Sequence, residues 1–213
     1  MLNSTNWVGY MSAVALIAVS FAAVLFGPKH QVGGQVSEAQ LPPIIPATVG
    51  ADYLGTHTFG LWTLICENVQ PKAPAGSPPA AAKRICRANA QKRVRANNQT
   101  LLAAGFNVLY AGVQKQPAVL FRLPPSASAG DHVDFAIDNN TMFQAPMGHC
   151  TPNECVVQGV LPAQALAQLK TGRVLSLIYT ANINRQKRPI RVDQLLHGFR
   201  ESFDALTKAT AGS

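Results

Sequence analysis

An all-β chain, a β-sandwich with one or two short helices preceded by a single N-terminal transmembrane helix, is the architecture this sequence predicts. Three observations carry it. Six short runs of strand-forming residues are bounded by turn chemistry. A 19-residue apolar run without charge lies near the amino terminus, and all four cysteines follow it. At 213 residues and 47% hydrophobic content the chain holds one well-buried domain plus an appendage, and falls short of two ordinary domains.

The appendage comes first. The first 28 residues carry no charged side chain, and Val8 to Phe26 reads VGYMSAVALIAVSFAAVLF. As a helix this run is about 28 Å long, close to a hydrocarbon core of about 30 Å. Trp7 and Tyr10 stand where amphipathic rings favour the headgroup layer, and Lys29 and His30 end the run. A cleaved signal peptide is the competing reading. It calls for a positive leader, a shorter apolar stretch and a small-x-small cleavage site, whereas the amino-terminal flank has no Lys or Arg, the run is longer, and LFGPKH after it has no Ala-x-Ala. The expected organisation is an uncleaved anchor over 1–28, a tether over 29–52 and a domain over 53–213. Lys29 alone weakly favours the opposite orientation, so the cysteines must decide which side the domain occupies.

The tether, QVGGQVSEAQLPPIIPATVG from Gln31 to Gly50, has no helical or strand period, although its LPPIIP core suits packing on a surface. Strands are expected at Phe59 to Cys66, Phe106 to Val113, Ala118 to Leu123, His132 to Asp138, Glu154 to Leu161 and Arg173 to Thr180. In HVDFAID, Val133, Phe135 and Ile137 alternate with polar neighbours, the pattern of a half-buried strand. Turn chemistry such as PSASAGD, DNN and NRQKRP separates the runs at the spacing of two stacked sheets. One helix is expected in LPAQALAQLKTG, with Pro162 near its start and Gly172 at its end. A second runs from Gly198 to Ala209, with Phe199, Phe203 and Leu206 at helical spacing. The Pro/Ala/Gly stretch from Pro71 to Lys83 reads as an exposed loop.

Cys66, Cys86, Cys150 and Cys155 are an even set grouped as two local pairs, although four cysteines allow three connectivities. Zinc requires four convergent ligands, and the sequence has no Cys-x-x-Cys or His-x-x-x-His. A redox pair also needs the Cys-x-x-Cys spacing, whereas Thr151 to Glu154 reads as a tight turn. Structural disulfides are the expected outcome. They put the domain in an oxidising compartment, which with the anchor means the periplasmic side of an inner membrane and outweighs Lys29.

These segments also carry a resemblance. GLWTLIC has a Trp four positions before a Cys, CRANAQKRVR follows a variable loop, and then come LLAAGFNVLY and AVLFRLPPSASAGDHVDFAID. MFQAPMGHCTPNEC, LPAQALAQLKTGRVLSLIY and PIRVDQLLHGFRESFDAL complete the order. The chain from Phe59 to Ala209 resembles the invasion-associated locus B family of Gram-negative bacteria, small secreted or periplasmic proteins with a β-sandwich and paired cysteines. The resemblance implies that fold and compartment, and no known catalysis. Many members of that family carry a cleavable signal, so an anchored chain departs from it, as does the long Pro71 to Lys83 insertion. The family's host-cell invasion phenotype does not transfer to an anchored member.

No nucleophile elbow, phosphate loop, HExxH helix or dinucleotide fingerprint is present. Asp134 and Asp138 have the even spacing of one strand face, and a solvated outer face explains them better than acid–base chemistry. His149 beside Cys150 is expected to end a strand rather than act as a base. The chain is therefore expected to be no enzyme and to take no cofactor or metal.

Charge is more informative. Net charge is +8, and no acidic residue lies between Glu67 and Asp131, a window holding nine of the 18 Lys and Arg. Lys83, Arg84, Arg87, Lys92, Arg93 and Arg95 form one basic group and Arg185, Lys187 and Arg188 a second. Acidic partners are expected: a membrane protein complex, anionic lipid or another envelope component. Nucleic acid is disfavoured, because KRICRANAQKRVR interleaves no aromatic residues among its charges. The bland alternative is that the charges only keep the domain soluble. The expected function is a non-catalytic, membrane-anchored accessory protein docking through the basic face. The alternative is a secreted or surface factor contacting host cells.

Overall fold

The structure is a computed structural model that describes residues 30–32, 41–71, 76, 78–96, 98–112 and 114–211. The apolar run Val8 to Phe26 lies outside the described residues. Within them, no helix is long and apolar enough to cross a membrane.

Among the described residues, eleven strands form two sheets. In chain order they are β1 (His30–Val32), β2 (Gly55–Phe59), β3 (Trp62–Val69), β4 (Lys83–Ala96), β5 (Gln99–Ala111), β6 (Gln116–Leu123), β7 (His132–Ile137), β8 (Asn140–Pro146), β9 (Cys155–Val160), β10 (Val174–Ile183) and β11 (Gln186–Leu195). Two helices join them, α1 (Ala163–Thr171) and α2 (Phe199–Thr210), with a short 3-10 turn at Pro125–Ala129. One sheet has the order β1-β11-β10-β7-β8 and the other β2-β3-β4-β5-β6-β9. Every pairing is antiparallel except β1 with β11. The sandwich and both short helices are as the sequence predicts.

The core lies between the sheets. Phe106, Phe121, Phe135 and Phe143 form an aromatic column across it, the Phe121 and Phe135 rings stacking at 5.7 Å and Phe135 and Phe143 at 4.7 Å. In β4 the inward residues Cys86, Ala88 and Ala90 are small, which lets α2 lie against β2, β3 and β4. Gly198 starts α2 at φ 87°, where its α-carbon passes so close to the Phe59 carbonyl that no side chain fits.

Two hydrogen bonds fix how the sheets are stacked. Trp62 donates its indole N–H to the Leu195 carbonyl at 3.0 Å, and Tyr179 donates its hydroxyl to the Ala103 carbonyl at 3.2 Å. From the first tie to the second, β11 runs back from Leu195 to Ile190, the partner of Tyr179, while β4 runs forward from Asn89 to Lys92, opposite Ala104. Continuing the same way, β10 and β11 meet in the turn at Asn184 and Arg185, and β4 and β5 approach each other at Ala96 and Gln99, with Asn98 in a turn at φ 59°. Both hairpin turns therefore project from one end of the sandwich, opposite the helices.

Tyr179 gives a pH test. Burial pushes its hydroxyl up to about 12, so the fold favours the neutral phenol. Its contribution is complete below pH of about 10 and is lost as pH rises through about 12, an expected loss of about 2–3 kcal/mol. Tyr179→Phe should flatten this alkaline fall while costing one hydrogen bond, about 0.5–1.5 kcal/mol. Denaturant midpoints of both proteins across the alkaline range measure it, and parallel pH profiles would exclude Tyr179 as the source.

Part of the stretch read as a tether lies on the domain. β1 pairs with Ile190–Val192. Ile44 bridges to Phe59 and Val49 is buried. His197 donates to the Pro42 carbonyl at 2.8 Å.

Candidate functional site

Both disulfides are formed as the sequence grouping suggests. Cys66 and Cys86 are register partners on β3 and β4, with α-carbons 4.1 Å apart, within a ladder that runs on to Val69 and Lys83. Cys150 and Cys155 bridge at 4.0 Å between α-carbons. Inside the second bridge, the Thr151 hydroxyl accepts the Asn153 and Glu154 N–H groups, both at 3.2 Å, and Thr151 N–H donates to the Glu154 carbonyl at 2.8 Å. This is the Ser/Thr-turn chemistry that makes TPNE a tight loop. Gly148 lets the backbone press against the Val156 carbonyl, where a side chain would collide. His149 is exposed.

The carboxylates do not converge. Asp134 faces outward on β7 and accepts a hydrogen bond from Gln144 at 2.7 Å. Asp138 lies past the strand end at φ 48°, and its carboxylate accepts the Arg173 and Val174 N–H groups, so it ties the α1–β10 connection to the β7 turn. Their even spacing does not place them on one face, because Asp138 belongs to the turn. Among the described residues, no three His, Cys, Asp or Glu side chains gather as a metal site. Depressions of about 150 and 230 Å³ lie beside α1 and α2, below the roughly 300–1,000 Å³ of ordinary ligand pockets.

The nine basic residues fall into two groups. Lys83, Arg84 and Arg87 lie toward the helix end. Arg87 is ion-paired with Glu67 at 2.5 Å. Arg84 turns inward and donates to the Ala51 carbonyl and, at 2.9 Å, to the Ala209 carbonyl in the last turn of α2, where a cation is favoured by the helix dipole. Lys92, Arg93 and Arg95 lie toward the turn of the β4–β5 hairpin; Lys92 is half-buried, and Arg93 and Arg95 are exposed. Arg185, Lys187 and Arg188 lie at the turn of the β10–β11 hairpin, where Arg188 donates to Gln186 at 2.7 Å. The stacking ties bring these two hairpins to one end, so residues some 90 positions apart share a surface.

Within the two hairpins, residues 91–102 and 181–192 contain no Asp or Glu. Among the described residues, the nearest carboxylates at that end belong to neighbouring strands: Asp131 and Asp134 at β7, and Glu154 before β9, which is ion-paired with Arg122 at 2.6 Å. Two apolar side chains, Leu101 and Ile183, are exposed beside the hairpin turns. Reading the charges alone passes over them, since each looks like an ordinary strand residue.

A family model described as Invasion associated locus B (IalB) protein matches residues 62–207. Among solved structures, the crystal structure of invasion associated protein B from Bartonella henselae aligns with a TM-score of 0.53 and 21% identity, over 71% of this chain and 93% of that one. No curated protein matches the sequence significantly.

Proposed function

Because the chain belongs to the invasion associated locus B family, we propose that it is a non-catalytic accessory protein, held in an inner membrane by its amino-terminal apolar run, with the sandwich on the periplasmic side. It docks through its basic residues onto an acidic partner at the membrane, either a membrane protein complex or an acidic envelope component. The carrying observation is the convergence of two basic hairpins at one end of the sandwich. Two disulfides support the oxidising compartment. Asp134 is tied to Gln144 and Asp138 to the Arg173 and Val174 N–H groups, which supports binding over catalysis, since acid–base work needs groups turned toward one substrate.

The test is native mass spectrometry of the full chain released from membranes in mild detergent. The expected result is a complex with a companion protein or bound anionic phospholipid, stripped by Arg95→Glu, Arg185→Glu and Lys187→Glu together. A bare monomer in every mild detergent counts against the reading. The words "invasion associated" in the family description favour a second reading, a secreted or surface factor that contacts host cells. Recovery of an amino-terminally shortened domain outside the inner membrane would select it.

A further inference from the structure

We propose that the hairpin end of the sandwich lies on the anionic phospholipid headgroups of the membrane that holds the chain's own apolar run. The proposal rests on the anchored reading above and names the acidic partner as lipid.

Strand direction carries the first step. β1 is parallel to β11, pairing His30 with Ile190 and Val32 with Val192. β11 begins at the hairpin turn and runs away from it. The chain therefore enters β1 from the side of the turn, at the edge of the sheet nearest the basic hairpin.

Length carries the second. Only Gly27, Pro28 and Lys29 separate Phe26 from His30, so the last residue of the apolar run lies within about 14 Å of His30 even with the chain fully extended. From Ile190, beside His30, back to Gln186 is four strand residues, again about 14 Å. The two lengths match. If Phe26 sits at the hydrocarbon boundary, the hairpin turns reach a headgroup layer about 5–7 Å thick. A leash of three residues leaves the domain little room to stand off from the surface.

Side-chain chemistry carries the third. Arg93, Arg95, Arg185 and Lys187 are exposed on the two hairpins. Leu101 and Ile183 stand beside them with 47% and 37% of their surface exposed. Basic residues beside exposed aliphatic ones suit an interface where phosphates lie above acyl chains. A soluble acidic protein would match the charges without needing the aliphatic pair. Asp131 and Glu154 fall under β7 and β9, on the side away from β1, so the side nearest the entry of the chain is the basic one.

The experiment uses the full chain in nanodiscs of phosphatidylcholine, alone or with a third replaced by phosphatidylglycerol, and reads amide hydrogen exchange. The amides of Asn184 and Arg185 are expected to exchange about tenfold more slowly in the anionic discs, each nearby Lys or Arg being worth about fivefold in attraction to such a surface. The triple variant Arg95→Glu, Arg185→Glu and Lys187→Glu should lose that protection while Leu175–Leu177 in the core stay protected, which shows that the variant is folded. Equal exchange in both compositions, with the chain inserted, overturns the lipid assignment and leaves the anchored reading standing. Protection that appears only when a membrane protein is added overturns it in favour of a protein partner. A chain that does not enter the discs overturns both.

Discussion

Trp62→Ala is expected to lower stability by about 3–5 kcal/mol, the usual cost of truncating a buried aromatic residue. Trp62 is completely buried, packs edge-to-face on Phe199 at 4.8 Å between ring centroids, and ties β3 to β11 through the Leu195 carbonyl. Its ring lies where the two sheets and the start of α2 meet, so the cavity cannot close without moving all three. The Leu195 carbonyl keeps a second donor, Gln194 at 3.1 Å, and most of the loss is therefore packing. Trp62→Phe separates the terms, since it keeps a ring against Phe199 and gives up the hydrogen bond, about 0.5–1.5 kcal/mol, plus a smaller void. Urea unfolding of the three proteins measures this. A loss under about 1 kcal/mol for the alanine variant would mean that Trp62 is not a centre of the core.

Replacing Cys66 and Cys86 together with alanine is expected to cost about 3 kcal/mol, against about 2 kcal/mol for Cys150 and Cys155. The difference follows from loop size, because the bridges span sequence separations of 20 and 5 residues. The larger loop contains the Pro71 to Lys83 insertion, and the β3–β4 ladder runs on past the bridge to Val69 and Lys83, so the bridge acts by limiting the unfolded chain rather than by holding the folded loop shut. Denaturation of the two double variants gives the order directly. A larger loss from the Cys150 and Cys155 pair would show that strain or specific packing, rather than chain entropy, governs these bridges. In a reducing compartment the domain would lose both contributions, which links its stability to where it folds.

Much of the fold is legible in the sequence because it rests on local pattern. The six expected strand runs all contain strand, and both helices lie within a residue or two of their expected bounds. β1, β2, β4, β8 and β11 were not read as strands: β1 falls in the stretch read as a tether, and of β2 only Phe59 falls in an expected run. β4 presents charge outward, while its inward residues Cys86, Ala88 and Ala90 are small, so the run reads as a basic cluster. β11 buries Ile190, Val192 and Gln194, but Pro189 argues against a paired strand. It falls just outside the three residues that β1 covers. In β8 a register shift opposite Phe135 and Ala136 breaks the alternation.

The candidate surface was legible as composition and not as geometry. The sequence groups Arg84 and Arg87 with Arg93 and Arg95, yet the ladder puts Glu67 near Arg87 and the end of α2 near Arg84. Only the stacking of one sheet on the other joins Arg95 to Arg185. Local pattern carries no signal for such a shared placement at one end, because it depends on which strands face each other across the core.

Intact mass of the unreduced protein taken from membranes tests the anchored account most directly. The account predicts the whole chain of 22.7 kDa, lighter only by the hydrogens lost in two disulfides, in the inner-membrane fraction. A shorter species beginning near residue 30 and recovered in the soluble fraction would contradict it.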